Sequence, residues 1–270
     1  MKLKAIVLWS LLPMTLICLG QNAGNSGPEL PVKAISTSPE PALAAPVTQA
    51  APVTQASPDD ELKAVLAQMN RAGSGFTSLQ ADFDWETFDR LFNDTDIQKG
   101  QAYFRRKGNN VEALFNFFTA SAGGRPALAK QALFKDGKLS FYEPKINRVT
   151  EREVGKNKSD VDAFMSLGLG GRGDDLADAF NVNWQGWETV DGVRTAKLEV
   201  TGKSPGIQKV FSRAILWIDP QRDIAVKQQF FQTSGDYRLT RYRNIKYNGK
   251  MSDDIFRLKT SASTEIMHVQ

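Results

Sequence analysis

Two periodicities alternate along this chain. Leu62, Val65, Leu66 and Met69 fall at i, i+3, i+4 and i+7, the spacing of one apolar helical stripe. Ser57 is placed to cap that helix, Pro58 occupies its first turn, and Asp59 and Asp60 complement the positive end of its dipole. Gly73 and Gly75 end it. From Gln80 the period changes to two: Ala81, Phe83, Trp85 and Thr87 alternate with Gln80, Asp82, Asp84 and Glu86. That is the pattern of a strand buried on one side and polar on the other.

Further strand-like runs follow, each bounded by turn chemistry. Ala102–Arg106 and Val111–Phe118 flank Gly108-Asn109-Asn110, Gln131–Phe134 and Leu139–Tyr142 flank Asp136-Gly137, and Trp184–Val190 and Arg194–Val200 flank Asp191-Gly192. Phe211–Ile218 and Ile224–Gln232 flank Asp219-Pro220-Gln221-Arg222, Tyr237–Tyr247 comes next, and a last short strand is expected around Phe256. Asp-Gly and Asn-Gly between such runs are strong hairpin signals, and short connections cannot make parallel crossovers. The prediction is a mainly β (α+β) fold: about ten to eleven antiparallel strands, too many to stay flat, curling into an incomplete barrel. Between Arg148 and Val182 the helical period returns, with Val161, Phe164 and Met165, then Leu176, Ala179 and Phe180, joined by a run from Gly168 to Gly173. These read as two short apolar helices that, with the N-terminal helix, cover the concave face.

The first 58 residues have a different character. Met1-Lys2-Leu3-Lys4 precedes a mostly apolar run from Ala5 to Leu19, the n- and h-regions of a secretory signal, so residues 1–20 are assigned to export. Cleavage after Gly20 is one reading, and acylation of Cys18 is the other, although Ile17 stands where a lipoprotein signal carries a small residue. Residues 21–58 are rich in Pro, Ala, Ser and Thr and contain the tandem repeat Ala45–Ala50 and Ala51–Ala56. Such a stretch cannot bury enough surface to offset its entropy and is assigned as an extended linker. Residues 59–270 remain as the folding domain.

Composition narrows the chemistry. The chain has 270 residues with one Cys and one His, so multi-Cys metal sites, His-pair zinc motifs and Ser-His-Asp or Cys-His machinery cannot be assembled. The net charge of +4 is too small and dispersed to suggest a nucleic-acid partner. Gly168-Leu169-Gly170-Gly171-Arg172-Gly173 matches G-x-G-x-x-G, but that motif binds pyrophosphate only in a parallel βαβ unit, so a hinge or loop is expected. His268 is read as a solvated tail residue, and the acid pairs Asp174-Asp175 and Asp253-Asp254 as solvated surface. Arg105-Arg106-Lys107 and Arg238, Arg241 and Arg243 have two readings, solvated strand ends with edge protection or charge at the rim of a cavity. No cofactor, metal or enzymatic activity is expected.

The aromatic pattern is more informative. Sixteen Phe are present, and segments such as Leu114–Phe118 and Gln229–Phe231 place bulky groups on both faces of a strand. A curved sheet that is apolar inside, beneath apolar helices, has the build of a lipid-chain pocket.

Several segments together resemble the outer-membrane lipoprotein carrier (LolA/LolB-like) superfamily. They are Ser78-Leu79-Gln80-Ala81-Asp82-Phe83 after the helix, Gly100–Arg106, Phe134–Pro144 followed by Val149-Thr150, then Ile215–Asp219 and Asp253–Phe256. The resemblance spans roughly residues 60–262. It implies a periplasmic monomer whose barrel-like sheet and helical lid hold the acyl chains of lipoproteins. Such a carrier takes them from an inner-membrane releasing transporter and hands them to an outer-membrane acceptor without making or breaking a bond. An envelope-anchored acceptor and a lipid- or lipoprotein-sensing regulator are alternatives on the same fold. By position Arg106 matches the arginine that holds the lid shut, although Lys107 stands where a proline usually follows. The implied cavity and lid would be lined by Phe83, Trp85, Phe104, Phe115, Phe117, Phe134, Phe141, Phe164, Met165, Leu176, Phe180, Trp217 and Phe230.

Overall fold

A computed structural model describes residues 57–108, 110–120, 125–153, 167 and 170–269. The expected signal and linker and Cys18, together with Phe164, Met165 and the first of the two expected lid helices, lie outside the described residues. Among those described, three α-helices accompany twelve strands. Helix α1 (Pro58–Ser74) starts as its sequence dictates: the Ser57 hydroxyl accepts from the Asp60 N–H at 3.2 Å and Pro58 sits in the first turn. Strands β1 (Ser78–Asp89), β2 (Asp94–Lys107), β3 (Asn110–Ala120), β4 (Pro126–Lys135), β5 (Lys138–Glu143) and β6 (Arg148–Glu153) form a meander. Helix α2 (Gly173–Ala179) precedes β7 (Phe180–Val190) and β8 (Val193–Gly202), and α3 (Pro205–Val210) precedes β9 (Arg213–Asp219), β10 (Ile224–Phe231) and β11 (Tyr237–Tyr247). A 3₁₀ turn at Asp253–Phe256 and strand β12 (Glu265–Val269) complete the described chain.

All twelve strands join one open sheet in the order β12-β6-β5-β4-β3-β2-β1-β11-β10-β9-β8-β7. Two consecutive meanders are joined edge to edge by the β1–β11 pair, with Phe83 opposite Tyr242 and Trp85 opposite Thr240. Asp136-Gly137 and Asp191-Gly192 carry positive φ at both positions, the geometry of the tight hairpin turns their sequences announce.

The sheet differs from expectation in three ways, each with a local cause. It is mixed, because β12 runs parallel to β6. The chain reaches that far edge by crossing the convex face, where Phe256 is buried in a cluster with Leu114 and Leu133. The segment around Phe256 is therefore an anchored 3₁₀ turn, and His268 belongs to β12, its exposed Nδ1 lying 3.4 Å from Glu151. Secondly, β2 is longer than its buried part, since Asp94–Lys99, polar but for the exposed Ile97, pair with the end of β1 in a solvent-facing ribbon. Thirdly, Phe180 opens β7 rather than closing a helix, and α3 occupies the stretch between the expected strands Arg194–Val200 and Phe211–Ile218, to which the sequence pattern assigns no element. Its cap repeats the Ser-Pro signal of α1, with Ser204 accepting from the Ile207 N–H at 3.2 Å.

Candidate functional site: the inner face and its covering segment

The inner face of the sheet is built by alternation. Leu79, Ala81, Phe83 and Trp85 of β1 lie opposite Phe104, Ala102, Gly100 and Gln98 of β2, and β3 contributes Ala113, Phe115 and Phe117 in register. Phe83, Phe104 and Phe117 are buried and share one cluster with Phe76, Ile224 and Tyr242, while Trp85, Phe115 and Phe134 pack against it half-buried. The rings meet edge to face, with centroids 5.2 Å apart for Phe83–Phe117 and Phe104–Phe115 and 5.8 Å apart for Phe83–Phe115 and Trp85–Phe117. Such contacts favour the pairs beyond simple area burial. Phe141 is half-buried and pairs with Ala132, which places it on the same side.

A second cluster fills the other half of the inner face. Leu198, Leu216 and Ile218 meet Val65 and Met69 of α1, Leu176 of α2, and Phe180, Phe211 and Phe230. The structure thus divides the thirteen residues expected to line the cavity and lid. Phe83, Trp85, Phe104, Phe115, Phe117 and Phe134 pack in the first cluster, Phe141 faces its side, Leu176, Phe180 and Phe230 belong to the second, and Phe164 and Met165 lie outside the described residues. Trp217 is a correction. It lies on the outer face with Val190 and Val226, because Leu216 and Ile218 on either side of it point inward.

Among the described residues, the segment leading into α2 is hydrogen-bonded to the rest of the fold at Leu167 and Gly170. Arg106 Nη2 donates to the Gly170 carbonyl at 2.7 Å, the Gly170 N–H donates to the Asp223 carbonyl at 3.0 Å, and Gln228 Nε2 donates to the Leu167 carbonyl. Gly170 has φ +80, and a Cβ there would run into the Phe76 ring. Gly170 and Gly173 of the run therefore serve close approach, to the Phe76 ring and the Leu66 backbone, and α2 spans seven residues and leads into an antiparallel strand.

Two residues of this region carry little signal in the sequence. Gly100 leaves room in mid-strand for Phe83, whose ring and the Asn116 carbonyl occupy the space a Cβ would need. Asp223 is fully buried, and neither carboxylate oxygen has a hydrogen-bond partner. Burial pushes its carboxyl up to about 8, against the pull of Arg106 and with the push of Asp175. Its position in a β-turn gave the only hint of it.

The basic clusters separate as well. Arg105 is buried in an ion-pair network with Glu112 and Asp253, while Arg243 pairs with Asp84 on the outer face. Arg238 stands on the inner face, opposite Thr87 and Phe230. Among the described residues no group of three or more His, Cys, Asp or Glu is arranged to hold a metal ion, and no helix is long and apolar enough to cross a membrane.

The class defined by these features is an open, strongly β half-barrel whose apolar inner face lies partly beneath helices. No family model matches the sequence, and no curated protein does. Solved structures similar to the chain include a DUF1329 family protein from Desulfovibrio piger (18% identity, TM-score 0.41, covering 75% of this chain and 98% of that one). The Mycobacterium tuberculosis lipoprotein LppX aligns at 16% identity and TM-score 0.43 over 72% and 98%. A LolA superfamily protein from Nitrosomonas europaea aligns at 15% identity and TM-score 0.36 over 73% and 97%.

Proposed function

We propose that this protein is an exported, non-enzymatic carrier that holds the acyl chains of a lipoprotein or lipid against the inner face of its sheet. The observation that supports the reading is the pairing of an aromatic inner face with a segment before α2 that, among the described residues, is hydrogen-bonded to the sheet through Leu167 and Gly170. Each methylene removed from water contributes roughly 0.8 kcal/mol, so an acyl chain on such a surface would be held tightly. Release then requires a cover that opens at modest cost. A few hydrogen bonds, each worth roughly 0.5–1.5 kcal/mol net, keep the closed and open states near in energy. Arg106 is the gating residue in this scheme, because its guanidinium links β2 of the sheet to the covering segment. The working compartment is the periplasm, reached through residues 1–20, with residues 21–58 as tether.

Native mass spectrometry of the purified full-length chain tests the proposal. Co-purified or added acyl lipid should appear as a bound species with one ligand per protein, and a chain that binds none would overturn it. Palmitate labelling that disappears in Cys18→Ala would identify an anchored acceptor rather than a free carrier.

A further inference from the structure

Among the described residues three acids are buried. Glu112 pairs with Arg105 and Asp219 with Arg222, whereas Asp223 is fully buried and neither of its carboxylate oxygens has a hydrogen-bond partner. A carboxyl left so costs free energy in either form, and far more when it is ionised. It stands where the segment before α2 is fastened. The Gly170 N–H donates to the Asp223 main-chain carbonyl at 3.0 Å. Its Oδ2 lies 2.8 Å from the point that a Cβ on Gly73 of α1 would occupy, and the Gly171 carbonyl lies 3.2 Å from the same point. One turn residue thus holds the segment by its backbone and meets both the segment and α1 with its side chain.

The groups that face this carboxyl respond differently to its charge. Arg106 of β2 attracts it, yet the guanidinium donates to the Gly170 carbonyl at 2.7 Å. Asp175 of α2 repels it, and the Asp175 carboxylate accepts from the Arg172 N–H at 3.3 Å where that helix starts. Tyr247, at the end of β11, is pushed up by burial and then by Asp223, so it stays neutral. Asp219 and Arg222 of the same turn pair with each other at 2.6 Å, Arg172 pairs with Asp174 at 3.3 Å, and α1 meets the carboxyl with the Gly73 backbone. Burial pushes Asp223 up to about 8, so it is neutral near pH 6.

We propose that Asp223 is a proton-controlled latch on the segment before α2: neutral, it lets the segment close over the inner face, and on losing its proton it frees the segment. A protonated carboxyl can lie dry against Gly73 and Gly171. An ionised one needs either the Arg106 guanidinium, which must then leave the Gly170 carbonyl, or water, which enters when the segment lifts. Repulsion from Asp175 acts on α2 in the same sense. As control of cargo, with release favoured as pH rises, this rests on the carrier reading; the latch itself is a property of the protein without cargo. Linkage sets the magnitude. In the open state the carboxyl titrates near its ordinary 3.8 and in the closed state far above it, so each pH unit between the two multiplies the open population by about ten.

Amide hydrogen exchange of the full chain without lipid, at pH 5, 6 and 7 and corrected for the intrinsic pH dependence of exchange, tests this directly. Protection of the Gly170 and Leu176 amides should lie below that of β2 and β3 and fall about tenfold per pH unit in the wild type. In Asp223→Asn, which keeps a neutral side chain of the same shape, it should stay level. If that variant does not fold, Asp223→Gly, which also accepts φ +55, takes its place. A level profile in the wild type would overturn the proposal, since the carboxyl would then keep its proton through opening or lack it throughout. Protection equal to that of β2 and β3 would also overturn it, because the segment would then open only with global unfolding. A fall that persists in Asp223→Asn would assign the titration to another group and refute the latch. None of these outcomes involves bound lipid, so failure here leaves the carrier reading to native mass spectrometry, and a chain that binds no lipid leaves the latch without a cargo.

Discussion

Asp223 offers the sharpest test of how this fold is balanced. Its carboxyl sits where α1, the segment before α2, and the β9–β10 turn meet, beside Gly73 and Gly171 and without a hydrogen-bond partner. The charged and titratable groups facing it are Arg106 from β2, Asp175 from α2 and Tyr247 from the end of β11. Its carboxyl is raised from 3.8 to about 8, so the folded protein holds a proton that the unfolded chain releases above pH 4. The contribution is full below pH 4 and is lost as pH rises toward 8, so stability must fall across that window. At ~1.4 kcal/mol per pH unit, the loss between pH 5 and pH 7.5 is about 3 kcal/mol.

Asp223→Asn isolates the effect. Asp223 has φ +55, a conformation that Asn adopts as readily as Asp, so the substitution removes the titration without adding backbone strain. Urea unfolding followed by tryptophan fluorescence at pH 5, 6, 7 and 7.5 should show a falling stability for the wild type and a clearly flatter line for Asp223→Asn. Lys130, lowered to about 8, has the opposite sign: its contribution is missing at pH 8 and recovers above it, outside this window. Identical slopes for the two proteins would refute the argument, since they would mean that Asp223 is ionised in the native state and solvated by some route.

Three further outcomes are expected. Arg106→Leu removes the donor to the Gly170 carbonyl, which should speed hydrogen exchange around Gly170–Phe180, cost about 1–2 kcal/mol of stability and impair handover of bound lipid; unchanged exchange there would remove Arg106 from the gating role. Gly100→Ala should destabilise by about 2 kcal/mol or more, read as a lower urea midpoint, because the new methyl meets the Asn116 carbonyl and the Phe83 ring. Phe104→Ala, at a position 1% exposed, should cost about 3–5 kcal/mol in the same assay, and a loss under 1 kcal/mol would mean the aromatic cluster is loosely packed.

How much of this was legible in the chain follows from the range of the interactions concerned. Helix α1 and the hairpins at Asp136-Gly137 and Asp191-Gly192 were legible because a cap, a proline or a positive φ is settled within four residues. The aromatic inner face was legible for Phe83 and Trp85, whose alternation with polar Asp82, Asp84 and Glu86 tells one side of a strand from the other, but not for Phe115 and Phe117, because Leu114 and Phe118 put bulky groups on both faces of β3. It was not legible for Trp217, where apolar residues run consecutively and period two loses its meaning.

The tertiary structure alone decided the rest. Whether Arg238 or Arg243 faces inward depends on the register of β11 against β1, which are separated by some 150 residues and shifted by an irregularity between Gln80 and Asp82. The parallel return of β12 rests on Phe256 finding a pocket between β3 and β4. The stranding of Asp223 beneath α1 likewise requires distant segments to be paired first. Local sequence fixes backbone conformation through sterics and hydrogen bonding over a few residues, whereas which charges are desolvated, and by what, is set only when the strands close ranks.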